Sequence, residues 1–237
     1  MCGRFVATSP VSQLLTTFDV ERLDQRLPGE VPIAHERFNV APRASLAIVR
    51  NDGPSRVLSW FRWGLVPSWA KQASVGDKLT NARAETIAEK PSFRAALAKR
   101  RCIVPADGYY EWQRDPSDAK RKLPHFFAPI SGAPLAFAGL WEMWRDPSQP
   151  DQILRTVALV TVEARGVAAE VHHRMPAILG DHAVSDWLDV NTTASEAQGL
   201  LVPNPEMLQC WQVSTLVNRA TVDIPELMHP IVPDTLF

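Results

Sequence analysis

Apolar residues recur along this chain mostly in short runs, alternating or continuous, that are cut by turn residues. Runs 45–50 and 56–63 flank Asn51-Asp52-Gly53-Pro54, and this pattern predicts two strands joined by a tight turn. Further strand-like runs fall at 101–105, 109–112, 125–129, 135–141, 154–162 and 209–214. Helical spacing is rarer. Ser9-Pro10 reads as an N-cap followed by proline in the first turn, and Val11, Leu14, Leu15 and Phe18 then mark one helical face. Ser92 is a cap for a short helix over Phe93 to Lys99, and Asp181 for one carrying Val184, Trp187 and Leu188. Thr193 and Glu196 have the spacing of a capping box. The segment 143–153, rich in Asp, Pro and Gln, predicts a loop or a disordered stretch. Many strands with few helices and no βα alternation predict an α+β fold: a largely antiparallel sheet or open barrel with peripheral helices. No linker divides the chain, so residues 1–237 are expected to form one domain.

Composition narrows the class without naming a function. The chain is 46% apolar and 22% charged, as in ordinary soluble proteins. No run approaches the ~20 apolar residues of a membrane span, and no leader peptide is expected. Cys2, Cys102 and Cys210 are widely separated and odd in number, which argues against a disulfide framework or a zinc cluster and fits a reducing cytosol. Neither metal nor cofactor is expected. With a net charge of −1, a nucleic-acid partner would need a local basic patch.

The start, Met1-Cys2-Gly3-Arg4-Phe5, carries the first chemistry. Initiator methionine is normally removed before a small residue, which would leave Cys2 with a free α-amine beside its thiol. Such an amine has a pKa near ~7.8 against ~10.4 for lysine, so roughly a quarter is neutral at physiological pH. It condenses with an aldehyde, and the thiol then closes a thiazolidine ring. Cys2 reads equally well as a small buried residue.

Other polar residues sit where structure alone does not demand them. Asn39, in Arg37-Phe38-Asn39-Val40-Ala41-Pro42, either bonds its own turn or orients the Cys2 amine. In Trp63 to Trp69, Trp63 reads as core, and Trp69 as either core or an exposed stacking surface for bases. Asn81, Arg83 and Glu85 alternate, so an extended backbone would put them on one face. There Arg83 could bind phosphate with Glu85 fixing its guanidinium; a solvated strand is the plainer reading. Glu111 lies between Tyr110 and Trp112, where alternation directs it opposite both rings. Near apolar walls its carboxyl would serve as general acid or base; otherwise it is a surface glutamate. Asp107 reads as structural and Cys102 as inert core. In Val171-His172-His173-Arg174-Met175-Pro176, one histidine reads as a proton shuttle and Arg174 as a phosphate contact, or both histidines as solvated loop residues.

Taken in order, these segments resemble the SOS-response-associated peptidase (SRAP) family of abasic-site-processing proteins. The resemblance runs through Phe137-Ala138-Gly139-Leu140-Trp141-Glu142, Thr161 and Val213-Ser214, and so covers nearly the whole chain. It implies the SRAP fold and a sensor of abasic sites in single-stranded DNA or at single-strand/double-strand junctions. In that family the N-terminal cysteine links to the aldehyde of the ring-opened sugar as a thiazolidine. Carried over, Cys2 is the nucleophile, Asn39 positions its amine, and Glu111 and His172 transfer protons. Arg4, Asn81, Arg83 and Arg174 look like phosphate and sugar contacts. Pro42 and Trp69 look like parts of a wedge, and Thr161 like a support for His172. A monomer in the cytoplasm, at the nucleoid if bacterial, is implied, with no membrane partner. Two features depart from the family's pattern: His173, where an acidic or amide residue is more usual, and segment 143–153.

A different class also begins Cys-Gly: N-terminal-nucleophile hydrolases, in which the thiolate attacks an amide. The motifs after Arg4 do not fit that class. A self-processing peptidase and a DNA-binding module with an incidental cysteine complete the alternatives.

Overall fold

The computed structural model of the chain describes residues 2–24, 36–118 and 120–231. In chain order its elements are β1 (Arg4–Ala7), α1 (Val11–Thr17), β2 (Arg22–Leu23), β3 (Arg37–Val40), β4 (Ser45–Asp52), β5 (Ser55–Trp63), β6 (Asn81–Arg83), α2 (Arg94–Lys99), β7 (Arg101–Ala106) and β8 (Gly108–Arg114). They continue with β9 (Lys122–Pro129), β10 (Leu135–Asp146), β11 (Gln149–Glu163), β12 (Arg174–Pro176), β13 (Ile178–Leu179), α3 (Asp181–Leu188), α4 (Ala194–Gly199) and β14 (Leu208–Gln212). The fold is α+β with mostly antiparallel pairing, as the strand pattern predicts.

Two sheets organise it. In one, β5, β4, β7, β10 and β11 pair in sequence, and a short parallel match of Thr156 with Arg62 and Val157 with Trp63 returns β11 to β5 and closes a five-stranded ring. The other runs β14-β9-β8-β1-β3. Alternation along β1 decides what lies on each side: Phe5 enters the main core, where it meets Trp63 edge-on at 5.3 Å, while Val6 enters a smaller cluster with Tyr110, Phe126 and Val217. The main core draws on residues from Cys2 to Leu208, so the amino terminus is built into the centre of the molecule.

The predicted turn at 51–54 joins β4 to β5, with Gly53 at φ +63°. The Thr193–Glu196 capping box forms in full. Other local readings change. Ser9 does not cap α1; its hydroxyl and amide bond Asp107, and Pro10 stands at the helix boundary without a side-chain cap. Asp181 lies in the first turn of α3, after Gly180, and no side-chain cap from Ser92 precedes α2.

The clearest correction concerns 143–153. β10 and β11 pair across it, with Met143 opposite Arg155 and Trp144 opposite Leu154, and only the Asp-Pro-Ser stretch turns. Asp146 Oδ1 accepts from the Ser148 amide and hydroxyl, which satisfies the turn locally. The composition fits a turn; the buried Trp144 makes the flanks strands.

Candidate functional site

Strand β1 carries Cys2 to its place. Arg4 pairs with Tyr110 on β8, which brings the residues before Arg4 alongside Glu111. Cys2 is fully buried, and its thiol faces the Arg4 carbonyl at 3.8 Å. The Asn81 side-chain amide donates to the Cys2 carbonyl at 2.9 Å and to Thr80 Oγ1 at 3.2 Å. Asn81 Oδ1, also buried, has no hydrogen-bond partner in the structure. Burial pushes the Cys2 thiol well above its ordinary pKa, and the nearby Glu111 charge adds to that. The predicted removal of Met1 lies outside the described residues.

Glu111 is 5% exposed. Its face of β8 is opposite to that of Tyr110, which belongs to the smaller cluster, so the alternation read from the sequence holds. Burial raises its carboxyl above the ordinary range. Across from it, His172 Nδ1 lies 3.9 Å from Glu111 Oε2. The same Nδ1 lies 3.0 Å from the Arg174 backbone N–H and 3.3 Å from the Arg174 carbonyl; accepting the closer N–H corresponds to the tautomer with the proton on Nε2. Burial lowers the His172 pKa to about 4, and the ring is uncharged at neutral pH. His173 lies beside it, with ring centroids 4.2 Å apart.

Arg174 holds this corner together. Its guanidinium grips Glu85 through two bonds of 2.6 and 3.0 Å and donates to the Thr161 carbonyl at 2.5 Å. Thr161 in turn pairs with Arg83 on β6 and Pro176 on β12, and it meets Arg174, two residues from His172. Glu85 is therefore the partner of Arg174 and not of Arg83. The reason is local: the extended stretch ends at Arg83, and 84–86 form a 3-10 turn that takes Glu85 off the predicted shared face. Arg83 is exposed. Arg4 is half-buried and, among the described residues, donates to the Gly3 carbonyl at 3.3 Å.

Asn39 is not at Cys2. Its neighbour Val40 faces the main core, and Asn39 faces away, donating to the carbonyls of Val217, Arg219 and Val222 at 2.8–3.2 Å. The amide that reaches Cys2 belongs to Asn81, which the sequence reading assigned to the sugar and phosphates. Both asparagines stand near strand ends, and nothing in their spacing says which one meets the amino terminus.

Pro42 is half-buried in the turn after β3, followed by Arg43 at φ +73°, whose side chain pairs with Asp77. Trp63 is core, and Trp69 is 60% exposed. Asp107 and Cys102 are structural as read: the Asp107 carboxylate accepts the Thr8 and Ser9 amides, and Cys102 is buried. A cavity of about 470 Å³ between α1, β1 and β4 is lined by Phe5, Leu14, Leu46, Trp60 and Asp107, and by none of Cys2, Asn81, Glu111 and His172. Among the described residues, no group of three or more His, Cys, Asp or Glu could hold a metal ion. No described helix is long and apolar enough to cross a membrane.

Comparison with known proteins gives this geometry its context. The family model described as SOS response associated peptidase (SRAP) matches residues 1–220. The abasic site processing protein YoqW of Bacillus subtilis (strain 168) is 41% identical over 232 residues, covering 97% of this chain and 99% of that protein. The abasic site processing protein HMCES of Pongo abelii is 30% identical over 270 residues, covering 98% of this chain and 76% of its own length. A crystal structure from Bacteroides thetaiotaomicron shares the fold at a TM-score of 0.82 and 23% identity, covering 98% of this chain and 100% of that one. One from Bordetella bronchiseptica gives 0.73 at 28%, covering 90% and 100%.

Proposed function

The chain belongs to the SOS response associated peptidase family, and on that premise we propose that it processes abasic sites in DNA by forming a covalent thiazolidine through Cys2. The observation that carries this is the convergence of Cys2, Asn81, Glu111 and His172 on one corner of the barrel. The substrate is the ring-opened sugar, whose C1′ is an aldehyde.

Removal of Met1 frees the Cys2 amine. The neutral amine adds to C1′; a C–N bond forms, and the carbonyl oxygen takes up a proton. Loss of one water gives the imine. The thiol then adds across C=N: a C–S bond forms, the thiol proton passes to nitrogen, and the ring closes. A thiol kept protonated by burial suits this order, because the amine acts first. Glu111, with its carboxyl raised, gives and takes protons at C1′ oxygen and at nitrogen. Neutral His172 donates from Nε2 to the departing oxygen. Asn81 holds the Cys2 backbone with its amide, and its spare Oδ1 accepts from the amine or from a sugar hydroxyl.

The DNA is single-stranded or a single-strand/double-strand junction. Arg4 and Arg83 contact its phosphates, and Trp69 and Pro42 form the stacking wedge. Arg174 joins the phosphate contacts by exchanging Glu85 for the DNA. The protein acts as a monomer in the cytoplasm, at the nucleoid in a bacterial cell.

Incubation with an abasic single-stranded oligonucleotide, followed by a denaturing gel, tests this reading. A heat-resistant adduct that Cys2→Ala abolishes is expected, and Glu111→Gln should slow its formation with DNA affinity nearly intact. Absence of adduct, with amide or peptide hydrolysis in its place, would assign the site to the N-terminal-nucleophile class.

A further inference from the structure

The loop that carries Trp69 grows from both sides of Cys2. It leaves β5 at Trp63, which packs on Phe5, and it returns to β6 at Asn81, which bonds the Cys2 carbonyl. Its two ends are drawn together by the Trp63 indole donating to the Thr80 carbonyl at 2.9 Å and by the Leu65 amide donating to the Leu79 carbonyl at 3.1 Å. Within it, Gly64 and Gly76 approach so closely that a Cβ on either would stand 2.6 or 2.5 Å from the other's carbonyl oxygen. Arg43 and Arg62 both clamp Asp77. The loop is thus built to hold one shape.

Its underside rests on the hairpin of β10 and β11 beyond the barrel. There Val66, Ala70 and Trp144 form a small buried cluster separate from the main core, flanked by Ala73, Val75 and Leu154. The Trp144 indole N–H donates to the Ala70 carbonyl at 2.7 Å, one residue beyond Trp69. Trp144 is 4% exposed while Trp69 is 60% exposed, so one ring is sunk beneath the loop and the other stands out from it.

We infer that Trp144 is a positioning residue for Trp69: the β10–β11 hairpin is a buttress that presents the Trp69 ring as a base-stacking surface beside Cys2. This rests on the proposed function above, and it adds the part of the molecule that sets how tightly DNA is held at the site. Trp144 touches neither DNA nor the reacting atoms, so its loss should weaken capture of DNA without slowing the covalent step once DNA is bound.

The test compares Trp69→Ala, Trp144→Ala, Trp144→Phe and the Trp69→Ala/Trp144→Ala double variant. Two quantities are read: affinity for an abasic oligonucleotide carrying 2-aminopurine beside the lesion, and the adduct rate at saturating DNA. Stacking on an indole quenches 2-aminopurine, so bound-state fluorescence reports the position of Trp69. Expected are an affinity loss of about tenfold for Trp69→Ala, by the usual worth of base–aromatic stacking, a several-fold loss for Trp144→Ala with weaker quenching, and a double variant no worse than Trp69→Ala alone. Trp144→Phe, which keeps the packing and loses the bond to Ala70, should fall between wild type and Trp144→Ala and guards against a variant that fails to fold. Losses that add in the double variant, or a changed saturating rate with unchanged affinity, would overturn the inference. Trp69→Ala with full affinity would overturn it too, while a Cys2-dependent adduct in that variant would leave the proposed chemistry standing.

Discussion

Burial and the Glu111 charge both oppose ionisation of the Cys2 thiol, so the reactivity of this residue lies first in its amine. The Asn81 side-chain amide fixes the Cys2 backbone through its carbonyl. Asn81→Ala removes the hydrogen bond that reaches Cys2, worth about 1.4 kcal/mol, and adduct formation at saturating DNA should slow roughly tenfold. An unchanged single-turnover rate would show that Cys2 is held by β1 alone. At the next corner, Glu85 is half-exposed and occupies the Arg174 guanidinium that DNA would use. Its carboxyl is held below the usual range by the Arg174 hydrogen bond, so it is charged at neutral pH and competes with phosphate. Glu85→Gln should therefore tighten binding to single-stranded DNA and steepen the plot of log affinity against log salt by about 0.7. Weaker binding with the same slope would make Arg174 purely structural. His172 links this corner to stability. Its folded pKa is about 4 and its unfolded pKa about 6.5, so between those values only the unfolded chain takes up the proton. Its contribution is constant above about pH 6.5, and stability falls from there to about pH 4. Urea midpoints of wild type minus His172→Gln should shrink across that window; a flat difference would mean that the imidazole is not desolvated.

Among the elements, the strands were legible because alternation is a local signal: β4 and β5 with their Gly53 turn appear close to where the pattern puts them. Pairings across long separations were not. Asn39 and Asn81 look alike in sequence, and only long-range pairing, β3 with β1 and β6 with β11, sends Asn39 toward 217–222 and Asn81 to Cys2. The Glu111 orientation could be read because its neighbours on the strand decide it; the Arg174–Glu85 pair could not, because it joins residues 89 positions apart. Hairpin 143–154 was hidden by its polar turn, although Trp144 and Leu154 were the signal of a buried side. Asn39 carries an expectation of its own at this scale. It satisfies three carbonyls of 217–222, so Asn39→Ala should cost roughly 2 kcal/mol or more in urea unfolding. Hydrogen exchange should rise first in that segment, and adduct chemistry should persist in the folded fraction. Loss of the adduct at full stability would instead place Asn39 in the chemistry.

At the scale of the whole molecule, the amino terminus is part of the core and not a tail upon it. The barrel fixes β11, β11 fixes β6 and β12, and those short strands deliver Asn81 to Cys2 and Arg174 to Thr161 and Glu85. A net charge of −1 is compatible with DNA binding where a local set of basic residues, as proposed for Arg4, Arg83 and Arg174, meets the phosphates. Reversible DNA binding should therefore weaken with salt while a formed adduct does not, since a covalent bond is indifferent to counterions. If Cys2, as the first residue, closes a ring on an abasic aldehyde, the intact mass of the product records it. Expected is a species equal to the chain beginning at Cys2 plus the abasic oligonucleotide minus one water, absent in Cys2→Ala. A product that retains Met1, or an adduct of the same mass formed by the Cys2→Ala protein apart from the substitution itself, would contradict it.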